Sequence, residues 1–251
     1  MLMKVLSFNV GYFLGFQSQR EWLRRPHRLF IGNRTSERAR IGMLIDLLEE
    51  EDPDAFALQE VDRGSIRSSF IDQHRVIVDR LQEAGLDYEH RADTKYGEST
   101  ITARIPVLRN MSNSIFWSSG TGAGRYLSNG TKRLVHMVSS ENAPTVLSVH
   151  LSKTSGTRAE QLKELAQMVD NHEEVLLMGD FNVKDTDEFH PLTEGADLDL
   201  YVPGKSFSTA YPSYAFDVFL TSCGLSVERC EVLTDMRFSD HMPVVAEIQH
   251  D

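Results

Sequence analysis

The sequence predicts an α/β fold with a mixed β-sheet, on three observations. Short apolar runs with the length and composition of buried strands recur along the chain. Some of the segments between them carry helical spacing. After residue 86, strands follow one another without helices between them, which sets the chain apart from a regular doubly wound sheet. The 251 residues, 41% of them hydrophobic, can bury one large core. No Ser/Gly/Pro-rich linker, repeat or low-complexity tract divides them, so a single domain over residues 1–251 is expected.

Val5-Leu6-Ser7-Phe8, running into Asn9, reads as the first strand. Arg38 to Glu51 has helical spacing through Ile41, Leu44, Ile45 and Leu48, and Ala55-Phe56-Ala57-Leu58-Gln59 then runs as a strand into Glu60. Asp72 to Ala84 is helical, with Val76, Ile77 and Leu81 on one face. Strands are expected at 108–117, 132–139 and 145–151, the last two joined by a hairpin turn at Ser140-Glu141-Asn142-Ala143-Pro144. Within the third of these, Val146-Leu147-Ser148-Val149 leads into His150. Thr157 to Asn171 reads as a helix through Leu162, Leu165, Ala166 and Val169. Val175-Leu176-Leu177-Met178-Gly179 leads into Asp180, with Asn182 two positions on, and Asp185, Asp187 and Glu188 look like the solvated start of a helix. Strands at 215–221 (holding Asp217), 225–233 and 242–248 complete the chain. The helical stripes are core and carry no function.

Four of these runs thus end in a residue that can bind metal or move a proton. In open α/β sheets, ligands bind beyond the carboxyl ends of the strands, so one pocket is expected to hold all of them. Carboxylate oxygens suit a hard cation such as Mg²⁺, and no thiolate stands at any of these positions. Asparagine offers a neutral donor to a phosphate oxygen, and histidine can stabilise or protonate charge developing there. Metal-assisted phosphoester hydrolysis uses all four residue types.

In order, Leu6-Ser7-Phe8-Asn9, Leu58-Gln59-Glu60-Val61-Asp62, Ser148-Val149-His150-Leu151, Gly179-Asp180-Phe181-Asn182, Phe216-Asp217-Val218-Phe219 and Ser239-Asp240-His241-Met242-Pro243 resemble the motifs of the endonuclease/exonuclease/phosphatase superfamily. The resemblance implies a DNase I-like fold: a four-layer αββα sandwich of two mixed β-sheets flanked by helices. It implies a divalent-metal-dependent phosphoesterase, using Mg²⁺ or Mn²⁺, that cleaves a phosphodiester by in-line attack of water. Glu60 would be the principal metal ligand, with Asn9 and Asp240 beside it or behind it. Asp180 would orient or deprotonate the water, Asn182 would contact phosphate, and His241 would face the phosphoryl oxygens with Asp217 holding its other nitrogen. His150 resembles the second imidazole of the branch that includes DNase I-like nucleases, sphingomyelinases and inositol-phosphate phosphatases. Abasic-site endonucleases generally lack it.

The chain departs from the family where a Gly-Asn pair usually precedes an Ile-Leu-Ser-Arg-x-Pro run. Here Gly97 is followed by Glu98 and Ser99, which become candidate substrate contacts, and Glu98 is also a candidate to orient His150. Net charge is −11, yet Arg20, Arg24, Arg25, Arg28, Arg34, Arg38 and Arg40 crowd into residues 20–40 against Glu21 and Glu37. A broad duplex-binding face does not fit this balance, whereas a local anion site does. Arg24, Arg25, Arg28 and Arg34 are candidate grips on a second substrate phosphate. The interleaved aromatic and apolar residues of 12–31 raise peripheral contact with an anionic membrane as another reading. The N-terminus has no signal-peptide pattern and no run of 18 apolar residues occurs, so a cytoplasmic protein with Cys223 and Cys230 reduced is expected. A nuclease or general phosphodiesterase ranks first and lipid or inositol-phosphate hydrolysis second. The contrasting class is a binding module that keeps the fold without the chemistry.

Overall fold

The computed structural model describes residues 1–24, 33–96 and 108–250. One sheet is built from β1 (Leu2–Asn9), β2 (Ala55–Asp62), β3 (Glu89–Thr94), β4 (Met111–Trp117), β11 (Ser226–Val232) and β12 (Val244–Gln249), in the order β11-β12-β1-β2-β4-β3. The other comprises β5 (Thr121–Tyr126), β6 (Leu134–Ser140), β7 (Ala143–His150), β8 (Val175–Asp180), β9 (Leu198–Tyr201) and β10 (Asp217–Ser222), in the order β5-β6-β7-β8-β10-β9. Each sheet has one parallel pair at its centre, β1 with β2 and β7 with β8, among antiparallel neighbours. Both sheets are therefore mixed, as expected.

Side-chain alternation stacks these sheets into four layers. Phe56 and Leu58 of β2 face one way and pack with Leu6, Phe8 and Phe116 against helices α2 (Arg34–Glu51) and α3 (Gln73–Glu83). Ala55 and Ala57 face the other way, toward Val146, Leu176, Met178 and Phe219 of the second sheet. That sheet's outer face, through Leu147, Val149, Leu177, Val218 and Leu220, is covered by Leu162, Leu165 and Val169 of α4 (Ser155–Val169). Helix ends follow local chemistry. Asn33 accepts from Ser36 N at 3.1 Å to start α2, four residues ahead of the expected Arg38, and Asp72 accepts from Arg75 N at 3.2 Å to start α3.

Three strands were not foreseen: β3, β5 and β9. All three are outermost in their sheets. An edge strand needs no two-sided apolar burial, so Glu89-His90-Arg91-Ala92-Asp93-Thr94 and Thr121-Gly122-Ala123-Gly124-Arg125-Tyr126 carry no hydrophobic signal. The acidic stretch at Asp185 does start a helical segment, but only a 3₁₀ turn (Thr186–Phe189) and one turn of helix, α5 (His190–Thr193). A short helix α1 (Gln19–Arg24) precedes the undescribed residues 25–32. Among the described residues no helix is long and apolar enough to cross a membrane, and both cysteines are free.

Candidate active site

Register brings the motif residues together. His150 is paired with Asp180 across β7 and β8, and Asp180 with Asp217 across β8 and β10, so three of the expected site residues lie side by side on adjacent strands. Asn9 ends β1 beside Gln59 of β2. Glu60 reaches the same end through a bulge. Between the pairs Leu58↔Ser114 and Val61↔Ser112, residues 59 and 60 oppose Asn113 alone, and Glu60 takes φ 60°. The extra residue returns Val61 to the helix-facing core and frees Glu60 from strict alternation. Gly179 is required for a different reason. At φ +141° a Cβ there would lie 2.1 Å from Val149 O, so only glycine lets β8 approach β7 and deliver Asp180.

Asp180 is the hub. Its Oδ2 accepts from Asn9 Nδ2 at 3.0 Å and lies 3.2 Å from His150 Nε2 and 3.7 Å from His241 Nε2. Its Oδ1 accepts from Asn182 N at 3.0 Å. Burial opposes its charge, but His241, His150 and Lys132 together hold the carboxyl well below the usual range. His241 Nδ1 meets Asp217 Oδ2 at 2.7 Å, and Ser206 Oγ donates to the same oxygen at 2.6 Å. Burial disfavours the charged ring, yet Asp217, Asp180 and Asp240 outweigh it and push the pKa up to about 10. His150 differs: burial first, then the neighbouring Lys132, pulls it down to about 4, so this ring is neutral at pH 7.

Glu60, Asp180 and Asp240 are all buried. Burial pushes the Asp240 carboxyl up, His241 opposes this, and Glu60 and Asp180 add to it. Buried hard-oxygen donors that repel one another fit a divalent cation of the Mg²⁺ type. A tighter group, Asp180, Asp217 and His241, also has ligand atoms within 4.8 Å of one another. Its short His241–Asp217 hydrogen bond, however, already commits that pair to orienting the imidazole.

Asn9 was expected beside the metal ligand Glu60 or behind it. Its amide is taken up by Asp180 and by Gly11 N, which donates to Oδ1 at 3.2 Å, so it positions Asp180. Asn182 donates to Leu151 O at 3.0 Å and has a second amide hydrogen to offer a ligand. Of the arginine candidates, Arg24 is exposed in α1, and Arg34, also exposed, donates to Ser69 O at 2.7 Å. Arg25, Arg28, Glu98 and Ser99 lie outside the described residues. Of residues 12–31, raised for peripheral membrane contact, Tyr12, Phe13, Leu14 and Phe16 are buried and Leu23 is exposed, while 25–32 lie outside the described residues.

Two lysines escaped the sequence reading. Lys95 Nζ stands 3.5 Å and Lys132 Nζ 3.8 Å from Glu60 Oε1. With His150 they hold the Glu60 carboxyl well below its usual range against the opposing effect of burial. Burial lowers the Lys95 ammonium to about 8, partly offset by Glu60. Lysine is scarce in this chain, at seven residues, and Lys95, Lys132 and Lys153 all act on Glu60. Scarcity was the available signal. Phe207, whose ring centre is 4.8 Å from that of His241, also lines a cavity of about 350 Å³ with Arg20, Tyr211 and Tyr214, and no candidate site residue lines that cavity.

A four-layer sandwich with carboxylates, amides and a cationic imidazole at one end defines a phosphoester hydrolase. The chain belongs to the Endonuclease/Exonuclease/phosphatase family, whose model matches residues 6–241. Solved structures with the same fold include an endonuclease/exonuclease/phosphatase from Bacteroides vulgatus, 13% identical, covering 100% of both chains with a TM-score of 0.69. A mannosyl-6-phosphatase from Bacteroides thetaiotaomicron is 15% identical over 99% of this chain and 100% of its own, TM-score 0.67. The catalytic domain of human nocturnin, solved with bound sulfate, is 15% identical over 99% and 94%, TM-score 0.65. No curated protein matches the sequence.

Proposed function

We propose that this protein, as a single domain over residues 1–251, is a Mg²⁺- or Mn²⁺-dependent hydrolase of small phosphoesters that works by in-line attack of water. The observation that carries the proposal is the hub at Asp180. One of its oxygens gathers Asn9, His150 and His241 while Asp217 keeps His241 cationic. Glu60 and Asp240 would hold the cation, which when bound polarises the phosphoryl oxygens. Asp180, strongly acidic in this setting, orients the attacking water and takes its proton only as the bond to phosphorus forms. The His241 imidazolium faces the charge that grows on the phosphoryl oxygens. Asn182 offers its second amide hydrogen to a phosphate oxygen. The net charge of −11 and the engagement of Arg34 with Ser69 favour a small substrate over a duplex.

The test is turnover of p-nitrophenyl and bis-p-nitrophenyl phosphate with added Mg²⁺ or Mn²⁺. Native protein should hydrolyse at least one of them, and His241→Ala should not. Single-stranded DNA, RNA, abasic duplex, sphingomyelin and inositol phosphates would then rank the substrate class. Absence of turnover with every metal and substrate would favour a binding module.

A further inference from the structure

Lys95 and Lys132 have no part in the chemistry just described. Their side chains are 3% and 15% exposed, and their ammonium groups converge on the same oxygen of Glu60. Lys95 Nζ also contacts Tyr12 Oη, and Lys132 Nζ contacts His150 Nε2. One ammonium completes an ion pair with a buried carboxylate. A second carries a desolvation penalty that the same carboxylate oxygen cannot offset in full. The charge of the pocket indicates what does. Lys95, Lys132, Lys153, Arg67 and His241 match Glu60, Asp62, Asp180, Asp217 and Asp240 in number, so the charged side chains of the pocket are close to neutral together. A divalent cation held by Glu60 would leave two positive charges unanswered. A phosphomonoester dianion supplies both, whereas a diester supplies one.

We infer that Lys95 and Lys132 bind the phosphoryl group of the substrate and select a phosphomonoester over a diester. This rests on the phosphoester-hydrolase reading above. Lys132 is placed for it, since its contact with His150 sets it on the side of the pocket where Asp180 and both imidazoles converge. In the reaction the water oxygen forms a new bond to phosphorus. The phosphorus–oxygen bond to the alcohol breaks, its electron pair leaves on the alkoxide, which takes a proton from solvent, while the proton taken up by Asp180 is released to solvent. One water is consumed, and an alcohol and inorganic phosphate are released.

The experiment compares native protein with Lys95→Met, Lys132→Met and Lys132→Arg on p-nitrophenyl phosphate and bis-p-nitrophenyl phosphate, and titrates each with inorganic phosphate by calorimetry with and without Mg²⁺. Native protein should prefer the monoester. Each methionine variant should lose about 10-fold or more in kcat/KM on the monoester beyond its loss on the diester, and bind phosphate about 10-fold more weakly. Lys132→Arg should recover part of both. Parallel losses on the two substrates with unchanged phosphate affinity would overturn the inference, as would a native preference for the diester. If the methionine variants fail to fold, Lys132→Arg and Lys132→Gln decide by the same readouts. If native protein hydrolyses neither ester, the hydrolase reading fails, while the phosphate titration still decides whether the lysines bind phosphate.

Discussion

Replacing Asp217 with Asn should convert a nearly pH-independent cation into one that titrates in the working range. The shape is conserved. Asn keeps an oxygen for His241 Nδ1 and Ser206 Oγ, and its new NH₂ falls where Asp217 Oδ1 is buried without a partner. What is lost is the charge that contributes most to raising His241 to about 10. If the ring returns to about its ordinary pKa of ~6.5, the cationic fraction at pH 8 falls from ~0.99 to ~0.03, a loss of roughly 30-fold or about 2 kcal/mol. At pH 6 the same change costs only ~1.3-fold. The assay is kcat/KM against pH from 5.5 to 9 on a nitrophenyl phosphate ester with Mg²⁺. The ratio of native to variant should widen roughly 20-fold between pH 6 and 8. A ratio that stays constant with pH would refute the reasoning and assign Asp217 an orienting role alone.

Three further outcomes are expected. Glu60→Gln should weaken Mn²⁺ binding, measured by calorimetry, by at least about 10-fold; undiminished affinity would remove Glu60 from the metal site. Gly179→Ala should destabilise by about 2 kcal/mol or more in urea, because its Cβ would meet Val149 O at 2.1 Å, and a normal unfolding midpoint would contradict the close approach of β7 and β8. Glu37 has its pKa raised by burial to about 7, against a partly offsetting hydrogen bond from Gln73, so its contribution to folding worsens as pH rises from the unfolded value through about 7. Glu37→Gln should therefore raise the melting temperature at pH 8, by an effect on the order of 2 kcal/mol, and not at pH 4; an equal change at both would sink the assignment.

What could be read in the chain depended on how much of a residue's role is local. Strands β1, β2, β7 and β8 are apolar on both faces because each lies inside a sheet between two packed layers, so Val175-Leu176-Leu177-Met178 announced itself. The edge strands β3, β5 and β9 answer to one neighbour and blend into polar sequence. The motif residues were legible because strand ends place them: His150, Asp180 and Asp217 are register partners. The bulge that frees Glu60 was not, since it depends on β4 supplying only Asn113 opposite two residues. Asn9 was expected beside the metal ligand or behind it, and which of its atoms are engaged is set by Asp180 and Gly11 N, neither of which is local to a motif. Lys95 and Lys132 arrive from loops whose sequences carry no periodicity, and only tertiary structure puts both on Glu60.

The central claim is that Asp180 aims a water at phosphorus. Hydrolysis of a nitrophenyl phosphate ester in H₂¹⁸O, followed by ³¹P NMR and mass analysis of the alcohol, tests it most directly. Native protein should place one ¹⁸O in the phosphorus-containing product and none in the alcohol, with Asp180→Asn slower by roughly 10²–10⁴-fold. Label in the alcohol, or an Asp180→Asn variant as fast as native, would contradict it.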